Sequence, residues 1–170
     1  MNLDMLVSVG QPPWHPVPAA EDIDVWDKYE FPTCGSYRLD GRLVIFNLVT
    51  TAGTRSLWAY VSVPQGAEQS VAGASFESEA EFSDFLERCF TGREAVFAAA
   101  ENFVITSKSD GIRIPSGRNA LLVIGAKWYA ERSAALYAEL RNRLEVAASE
   151  TADPEALLSA AQGVIETLPV

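Results

Sequence analysis

The residue best suited to acid–base chemistry is His15, the only histidine in the chain, because imidazole titrates near neutral pH. It lies in Gln11–Pro18, the proline-rich strap, whose four prolines predict extended and irregular backbone. No recognisable motif ties a nucleophile to it, so we interpret His15 as a packed or solvent-exposed ring. Nucleophile elbows, phosphate loops, dinucleotide fingerprints and zinc spacings are absent from the sequence. We therefore predict no catalytic residue, no metal site and no cofactor.

Three aspartates, Asp22, Asp24 and Asp27, stand close enough in sequence to suggest a cation site. An oxygen cage for calcium also needs a glycine turn and a closing glutamate at fixed offsets, and both are missing here. We therefore interpret these aspartates as a solvated face. The surrounding stretch Glu21–Glu30 fits a short helix and an extended approach to a sheet equally well.

The two cysteines, Cys34 and Cys89, are too few for a disulfide framework. Cys89 falls on the apolar stripe of a predicted helix, where a free cysteine is usually buried. Cys34 stands beside a glycine in a predicted loop. We therefore expect only Cys34 to react quickly with a thiol reagent.

Large aromatic side chains mark the strand predicted at Ser56–Val63. Successive strand residues point to opposite faces of a sheet, so Trp58 and Tyr60 share one face while the smaller apolar residues between them occupy the other. Tyr37, in the strand before the hairpin, offers another ring. We predict Trp58, Tyr60 and Tyr37 as partner-binding residues, because exposed aromatics often anchor protein interfaces. The alternative is that the proline-rich strap or the C-terminal helices cover this face.

The charge balance argues against nucleic acid as a partner. With 13 basic and 23 acidic residues the formal net charge is −10, which disfavours any surface that must neutralise phosphates. Scattered acids also serve solubility, while a partner with a basic surface is the more specific interpretation. The sequence favours a non-catalytic, acidic protein-binding accessory protein, such as an inhibitor, an immunity-type protein or an assembly subunit. A small-molecule binding domain and an enzyme of unrecognised class stay open.

The elements that must position these residues centre on a hairpin. Val, Ile, Phe, Trp and Tyr dominate Arg42–Val63, which predicts two antiparallel strands with a turn at Gly53. Asp40-Gly41 predicts a type I′ turn that adds a strand at 36–39 and completes a meander. A serine and a glutamate, Ser78 and Glu81, have the spacing of a capping box and begin a helix with an apolar stripe. That stripe is Phe82, Phe85, Leu86, Cys89 and Phe90, with Gly92 as its stop.

The second half of the chain mixes strand and helix signals. Arg93–Glu101 is rich in alanine and is interpreted as a short helix. Phe103–Ser107 is a strand candidate, and Asp110-Gly111 predicts another hairpin. Leu121–Ile124 is ambiguous between strand and helix. Two helices follow, at Lys127–Ala148 and from Pro154 onward, with Asp153 as the cap of the second.

These elements predict an α+β fold: a mostly antiparallel sheet of four to five strands, with helices packed on one face and a C-terminal helical hairpin. We expect a single domain over 1–170. It would comprise a proline-rich strap and approach (1–34), the sheet with its covering helix (35–115) and a helical tail (118–170).

The helical tail also suggests self-association. Its leucine- and alanine-rich faces between Lys127 and Leu168 exceed what one small sheet can cover, so a homodimer is possible through this region. No run of about 18 apolar residues occurs and no secretory signal is recognisable, so we expect a cytoplasmic protein without membrane contact.

Overall fold

The protein is built on one antiparallel sheet, seen in a computed structural model that describes residues 2–72, 76–117, 119–131, 142, 145–146 and 154–167. The described strands number seven, in the order β1-β2-β3-β4-β5-β6, with β7 also paired to β5. They are β1 (Glu21–Tyr29), β2 (Phe31–Leu39), β3 (Arg42–Ala52), β4 (Arg55–Ser62), β5 (Glu94–Glu101), β6 (Val104–Lys108) and β7 (Ile112–Arg113). The described helices are α1 (Glu68–Ala72), α2 (Glu79–Phe90), α3 (Ala120–Glu131) and α4 (Pro154–Thr167). The α+β class is confirmed, and the predicted four to five strands are too few.

The central hairpin and the turn before it are confirmed. Strands β3 and β4 pair antiparallel, and β2 pairs with β3 on the other side. Asp40 and Gly41 have φ of 50° and 76°, the two positive values that a type I′ turn requires. Gly53 also has a positive φ, of 62°.

The additional strands come from two stretches that the sequence did not assign as strands. Glu21–Tyr29 is strand β1, at the edge of the sheet next to β2. The short helix expected at Arg93–Glu101 is wrong, because this stretch is β5, a central strand paired with β4. Alanine is a good helix former, but here the six residues from Ala95 to Ala100 are all buried between two layers. Packing on both faces therefore outweighs helix propensity.

The hairpin expected at Asp110-Gly111 is also wrong. Strands β6 and β7 lie along the same edge of β5 and pair with its two ends. Between them Ser109 stays on β5, with its backbone N–H donating to the Phe97 carbonyl and its hydroxyl accepting from the Phe97 N–H, both at 2.8 Å. A serine hydroxyl thus replaces one backbone acceptor where the edge is interrupted.

The helices cover one face of the sheet. Ile45, Leu57 and Phe97 from the strands form a core with Phe85 of α2 and Ile165 of α4. A Cβ on Gly125 of α3 would come within 2.7 Å of the Phe97 ring, so glycine lets this helix approach the sheet closely. Leu121–Ile124, left open by the sequence, is part of α3.

The other face is covered by the N-terminal segment, residues 2–18, which contains the proline-rich strap. Leu6, Val7 and Val17 are buried against Phe46 and Trp58 of the sheet. The segment makes a single 3₁₀ turn at Leu3–Met5 and then continues as irregular backbone. Isolated backbone hydrogen bonds, such as Gly10 N–H to the Ile105 carbonyl at 2.8 Å, join it to the sheet edge, and the Lys108 ammonium of β6 donates to the Val7 carbonyl at 3.0 Å.

The C-terminal helices are described in part. Helix α4 begins at Pro154, as predicted, and packs on α3 through Ala126, Leu157 and Ala161. The first arm of the expected helical hairpin, Lys127–Ala148, lies largely outside the described residues. The homodimer through this tail therefore stays a prediction. None of the described helices is long and apolar enough to cross a membrane.

Candidate functional site

The three predicted partner-binding residues lie inside the protein. Trp58, Tyr60 and Tyr37 are each 0% exposed. The Tyr37 hydroxyl donates to the Leu6 carbonyl at 2.6 Å, and the Tyr60 hydroxyl donates to the Pro13 carbonyl at 2.8 Å. Of the two covers that the sequence left open for this face, a partner and the chain itself, the structure has the N-terminal segment. Binding by these rings stays a prediction that would require the N-terminal segment to leave the sheet.

Burial fixes the ionisation state of the two tyrosines. It raises the pKa of Tyr37 and of Tyr60 well above their usual value, and Tyr37 adds a smaller unfavourable charge interaction to Tyr60. A buried phenolate would lose its water without gaining a donor. Both hydroxyls consequently act as neutral hydrogen-bond donors to the N-terminal segment.

Neither cysteine is placed for rapid chemistry. Cys34 is 2% exposed and Cys89 is 6% exposed. Burial raises the pKa of the Cys34 thiol, and the nearby Asp27 raises it further. Burial raises the pKa of Cys89 as well, with Arg93 and Arg88 opposing the change. The expectation that Cys34 alone reacts quickly is wrong in its premise, because Cys34 is a buried residue of β2 and not a loop residue.

His15 and the clustered acids do not form a metal centre. The His15 ring is half-buried in the proline-rich strap, and its Nε2 has no hydrogen-bond partner among the described residues. Within the same residues, no group of three or more His, Cys, Asp or Glu side chains is arranged to hold a metal ion. Asp22, Asp24 and Asp27 belong instead to the rim of a groove.

The acidic groove lies between the β1–β2 edge of the sheet and helix α2. Its volume is about 770 Å³, within the range of pockets that bind small ligands or peptide side chains. One side is formed by β1 and β2 and the other by the start of α2 and the residues just before it. Its lining comprises Asp22, Asp24, Trp26, Asp27, Ser36, Arg38, Leu43, Val71, Phe76, Glu77, Ser78, Glu79, Phe82 and Phe85.

The floor of the acidic groove is aromatic. Phe76 lies 5.0 Å from Phe82 and 4.9 Å from Phe85 between ring centroids, and Trp26 lies 5.9 Å from Phe85. Phe85 is 8% exposed, while Phe76 is 37% exposed. Trp26 and Phe82 are half-buried. The floor therefore rests on one buried ring and presents three partly open rings to the groove.

The start of α2 explains how these rings are positioned. The Ser78 hydroxyl accepts from the Glu81 N–H at 3.2 Å, as the capping box predicts. The Glu81 carboxylate accepts from the Glu77 N–H at 3.0 Å and not from Ser78. This cap fixes the first turn of α2, from which Phe82 and Phe85 project at i and i+3 onto one side.

The rim of the acidic groove is strongly negative. Five carboxylates line it and none of them forms an ion pair within the described part of the chain: Asp22, Asp24, Asp27, Glu77 and Glu79. The one basic lining residue, Arg38, is paired with Glu68 at 3.2 Å and also donates to the Gly41 carbonyl at 3.3 Å. The groove thus attracts cations and offers an approaching anion only a guanidinium that is already paired.

A buried hydroxyl also faces the acidic groove. Ser36 is 5% exposed and lies directly opposite Asp24 on the neighbouring strand. Its side chain lines the groove. Ser36 therefore supplies a polar side chain to the wall that carries Asp24.

Strand β1 forms the outer wall because a glycine lets it approach. Any Cβ on Gly35 would collide with the Asp24 carbonyl oxygen and come within 2.9 Å of the Phe46 ring. Strand β1 is otherwise exposed, with Trp26 as its one half-buried residue. The sequence drew attention to Asp22, Asp24 and Asp27. It did not identify Trp26 and Phe76 as neighbours of these aspartates. Assigning residues 21–29 as a strand with Trp26 facing α2 would have placed the aspartates and Trp26 in one site.

No family model, curated protein or solved structure matches this chain.

Proposed function

We propose that the protein is a non-catalytic binding protein that holds a positively charged segment of another protein in the acidic groove. The observation that carries the proposal is the pairing of an unneutralised carboxylate rim with a partly open aromatic floor. Aromatic residues supply contact area at interfaces, and rim charges steer a partner of opposite charge.

The partner that best fits is an extended basic segment. Strand β1 pairs only with β2 within the described sheet, so its outer edge is open to another strand. Ile23 and Val25 of this strand are 40% and 41% exposed. Like charges disfavour a second copy of the same acidic edge, while lysines and arginines would complement it.

Trp58, Tyr60 and Tyr37 have no part in this proposal, because the N-terminal segment covers them. The proposed contact surface comprises Trp26, Phe76 and the groove carboxylates.

A labelled synthetic peptide tests the proposal by fluorescence anisotropy. The probe alternates arginine with valine or threonine over about nine residues, the length of β1, and a glutamate version serves as the negative probe. The groove variant Asp22→Asn/Asp24→Asn/Glu77→Gln should weaken binding at least about tenfold, equal to about 1.4 kcal/mol. Affinity should also fall as salt rises.

A matched variant separates site binding from general attraction to an acidic protein. Asp4→Asn/Asp110→Asn/Glu131→Gln removes the same charge from exposed positions that do not line the groove. This control should bind the arginine peptide within about twofold of the unmodified protein. Equal weakening by both variants would contradict the proposal, because the attraction would then follow only the net charge.

A small-molecule binding domain is the second candidate, favoured by the volume of about 770 Å³. It is supported instead if the protein binds small cations but not the peptide.

A further inference from the structure

We infer that the aromatic floor of the acidic groove is a subsite for one arginine side chain of the bound partner. The inference rests on the proposed function and adds the chemical group that the groove selects. It is carried by two features, the partly open rings and the Ser36 side chain, which lines the groove together with the rim carboxylates.

The rings provide the apolar half of the subsite. Trp26, Phe76 and Phe82 surround the buried Phe85 and remain partly open to the groove. The face of an aromatic ring carries partial negative charge and attracts a cation, most strongly for tryptophan. A guanidinium is planar and weakly hydrated, so it stacks on such a ring at a lower desolvation cost than an ammonium.

The polar half of the subsite consists of hydrogen-bond acceptors. Asp24 lies opposite Ser36 across the β1–β2 pair, and one Asp24 oxygen already accepts from the Trp26 indole N–H at 3.1 Å. The Ser36 hydroxyl can accept as well as donate, and carboxylates only accept. Arginine brings five N–H donors and no acceptor, so it matches this set of groups.

Other cations fit the same place less completely. A lysine ammonium is compact and strongly hydrated, so it gains less from the flat rings. A quaternary ammonium, as in trimethyl-lysine or choline, gains the ring contacts but has no N–H for Ser36 or Asp24. The groove therefore favours arginine over both.

Two small compounds test the subsite without the peptide. N-acetylarginine methylamide carries the guanidinium, and N-acetylcitrulline methylamide has nearly the same shape without the charge. The readout is the Trp26 indole N–H resonance in a nitrogen-15 correlation spectrum, assigned by its loss in Trp26→Phe. The arginine compound should shift this resonance saturably with a dissociation constant of about 1–10 mM, and the citrulline compound at least about tenfold more weakly.

Protein variants locate the effect. Ser36→Ala should weaken binding of the arginine compound at least about threefold, since it removes one acceptor. The control Ser83→Ala changes an exposed serine of α2 outside the acidic groove and should leave the affinity for the arginine compound unchanged. Thermal unfolding of each variant shows that the fold is retained.

The outcomes separate the two proposals. Equal binding of both compounds, or a shift only in tryptophan resonances other than Trp26, would overturn the subsite even if the arginine peptide binds in the groove. A selective shift of Trp26 together with no peptide binding would support the subsite and contradict the proposed protein partner.

Discussion

The two faces of the sheet use aromatic residues in different ways. Under the N-terminal segment, Trp58, Tyr60 and Tyr37 are fully buried and their polar atoms are hydrogen-bonded. On the helix-covered face, Trp26 and Phe76 stay partly exposed beside unpaired carboxylates. An aromatic stripe therefore indicates a binding surface only where the chain itself leaves it uncovered and puts charge around it.

Truncating a ring on the covered face should give the largest loss of stability. Trp58→Ala removes a fully buried side chain and leaves a cavity between the sheet and the N-terminal segment. We expect the free energy of unfolding to fall by about 3–5 kcal/mol, measured by urea denaturation. The comparison residue is Phe82 in the acidic groove, where Phe82→Ala should cost about 1–2 kcal/mol because that ring is half-buried. Similar losses of unfolding free energy in Trp58→Ala and Phe82→Ala would show that the two rings are equally buried, which would contradict the described difference between the faces.

Substitution of Gly35, which lets β1 approach β2 closely, should give the next largest loss of stability. In Gly35→Ala the new methyl group meets the Asp24 carbonyl and the Phe46 ring, and overpacking of this kind costs about 1–3 kcal/mol. Because β1 must move outward, the groove should also lose affinity for the arginine peptide. The control is Gly66→Ala, where a Cβ meets nothing within 4 Å. An unchanged melting temperature in Gly35→Ala would show that β1 does not lie as described.

The sequence predicted the features that depend on neighbouring residues and missed those that depend on contacts between distant parts of the chain. The hairpin at Arg42–Val63, the Asp40-Gly41 turn and the Ser78 cap depend on residues adjacent in sequence, and all three are confirmed. Strand β5 was misinterpreted because alanine favours helix locally, while its pairing partners lie far away in the chain. The acidic groove depends on the contact between β1 and α2, which no local pattern encodes.

The sequence also predicted only in part how the sheet face with Trp58 and Tyr60 is covered. The sequence offered a partner and the proline-rich strap as alternative covers for Trp58 and Tyr60. The N-terminal segment packs on both rings, and the Tyr60 hydroxyl donates a hydrogen bond to the Pro13 carbonyl. These contacts join residues far apart in the chain, so the spacing of residues within one stretch does not predict them.

The buried tyrosine hydroxyls predict a smaller effect that depends on pH. Tyr60→Phe removes the donor to the Pro13 carbonyl and should cost about 1 kcal/mol near neutral pH. Because burial raises the pKa of Tyr37 and Tyr60 in the folded protein, the unfolded chain releases these protons first. Their stabilising contribution is complete below the unfolded pKa near 10 and decreases as pH rises above it.

Denaturation at several pH values checks this prediction. The loss of stability between about pH 10 and pH 12 should be shallower in Tyr37→Phe/Tyr60→Phe than in the unmodified protein. The matched control is Tyr29→Phe, whose side chain is 74% exposed. An equal slope in all three proteins would show that the two rings are not buried as described.

Neutralising the groove rim should change stability least. Asp22→Asn/Asp24→Asn/Glu77→Gln removes carboxylates that form no ion pair among the described residues. The free energy of unfolding should change by no more than about 0.5 kcal/mol in either direction. A loss above about 2 kcal/mol would mean that these acids maintain the fold, and the weakened peptide binding of this variant could not then be assigned to the site.

The central claim is that the acidic groove holds a positively charged segment, and amide chemical-shift mapping with the arginine peptide tests it most directly. The account predicts saturable shifts concentrated in β1, in β2 near Ser36 and at the start of α2 around Phe82, with little change at Tyr60 or in β5. Shifts spread evenly over the acidic surface, or centred on the face covered by the N-terminal segment, would contradict it.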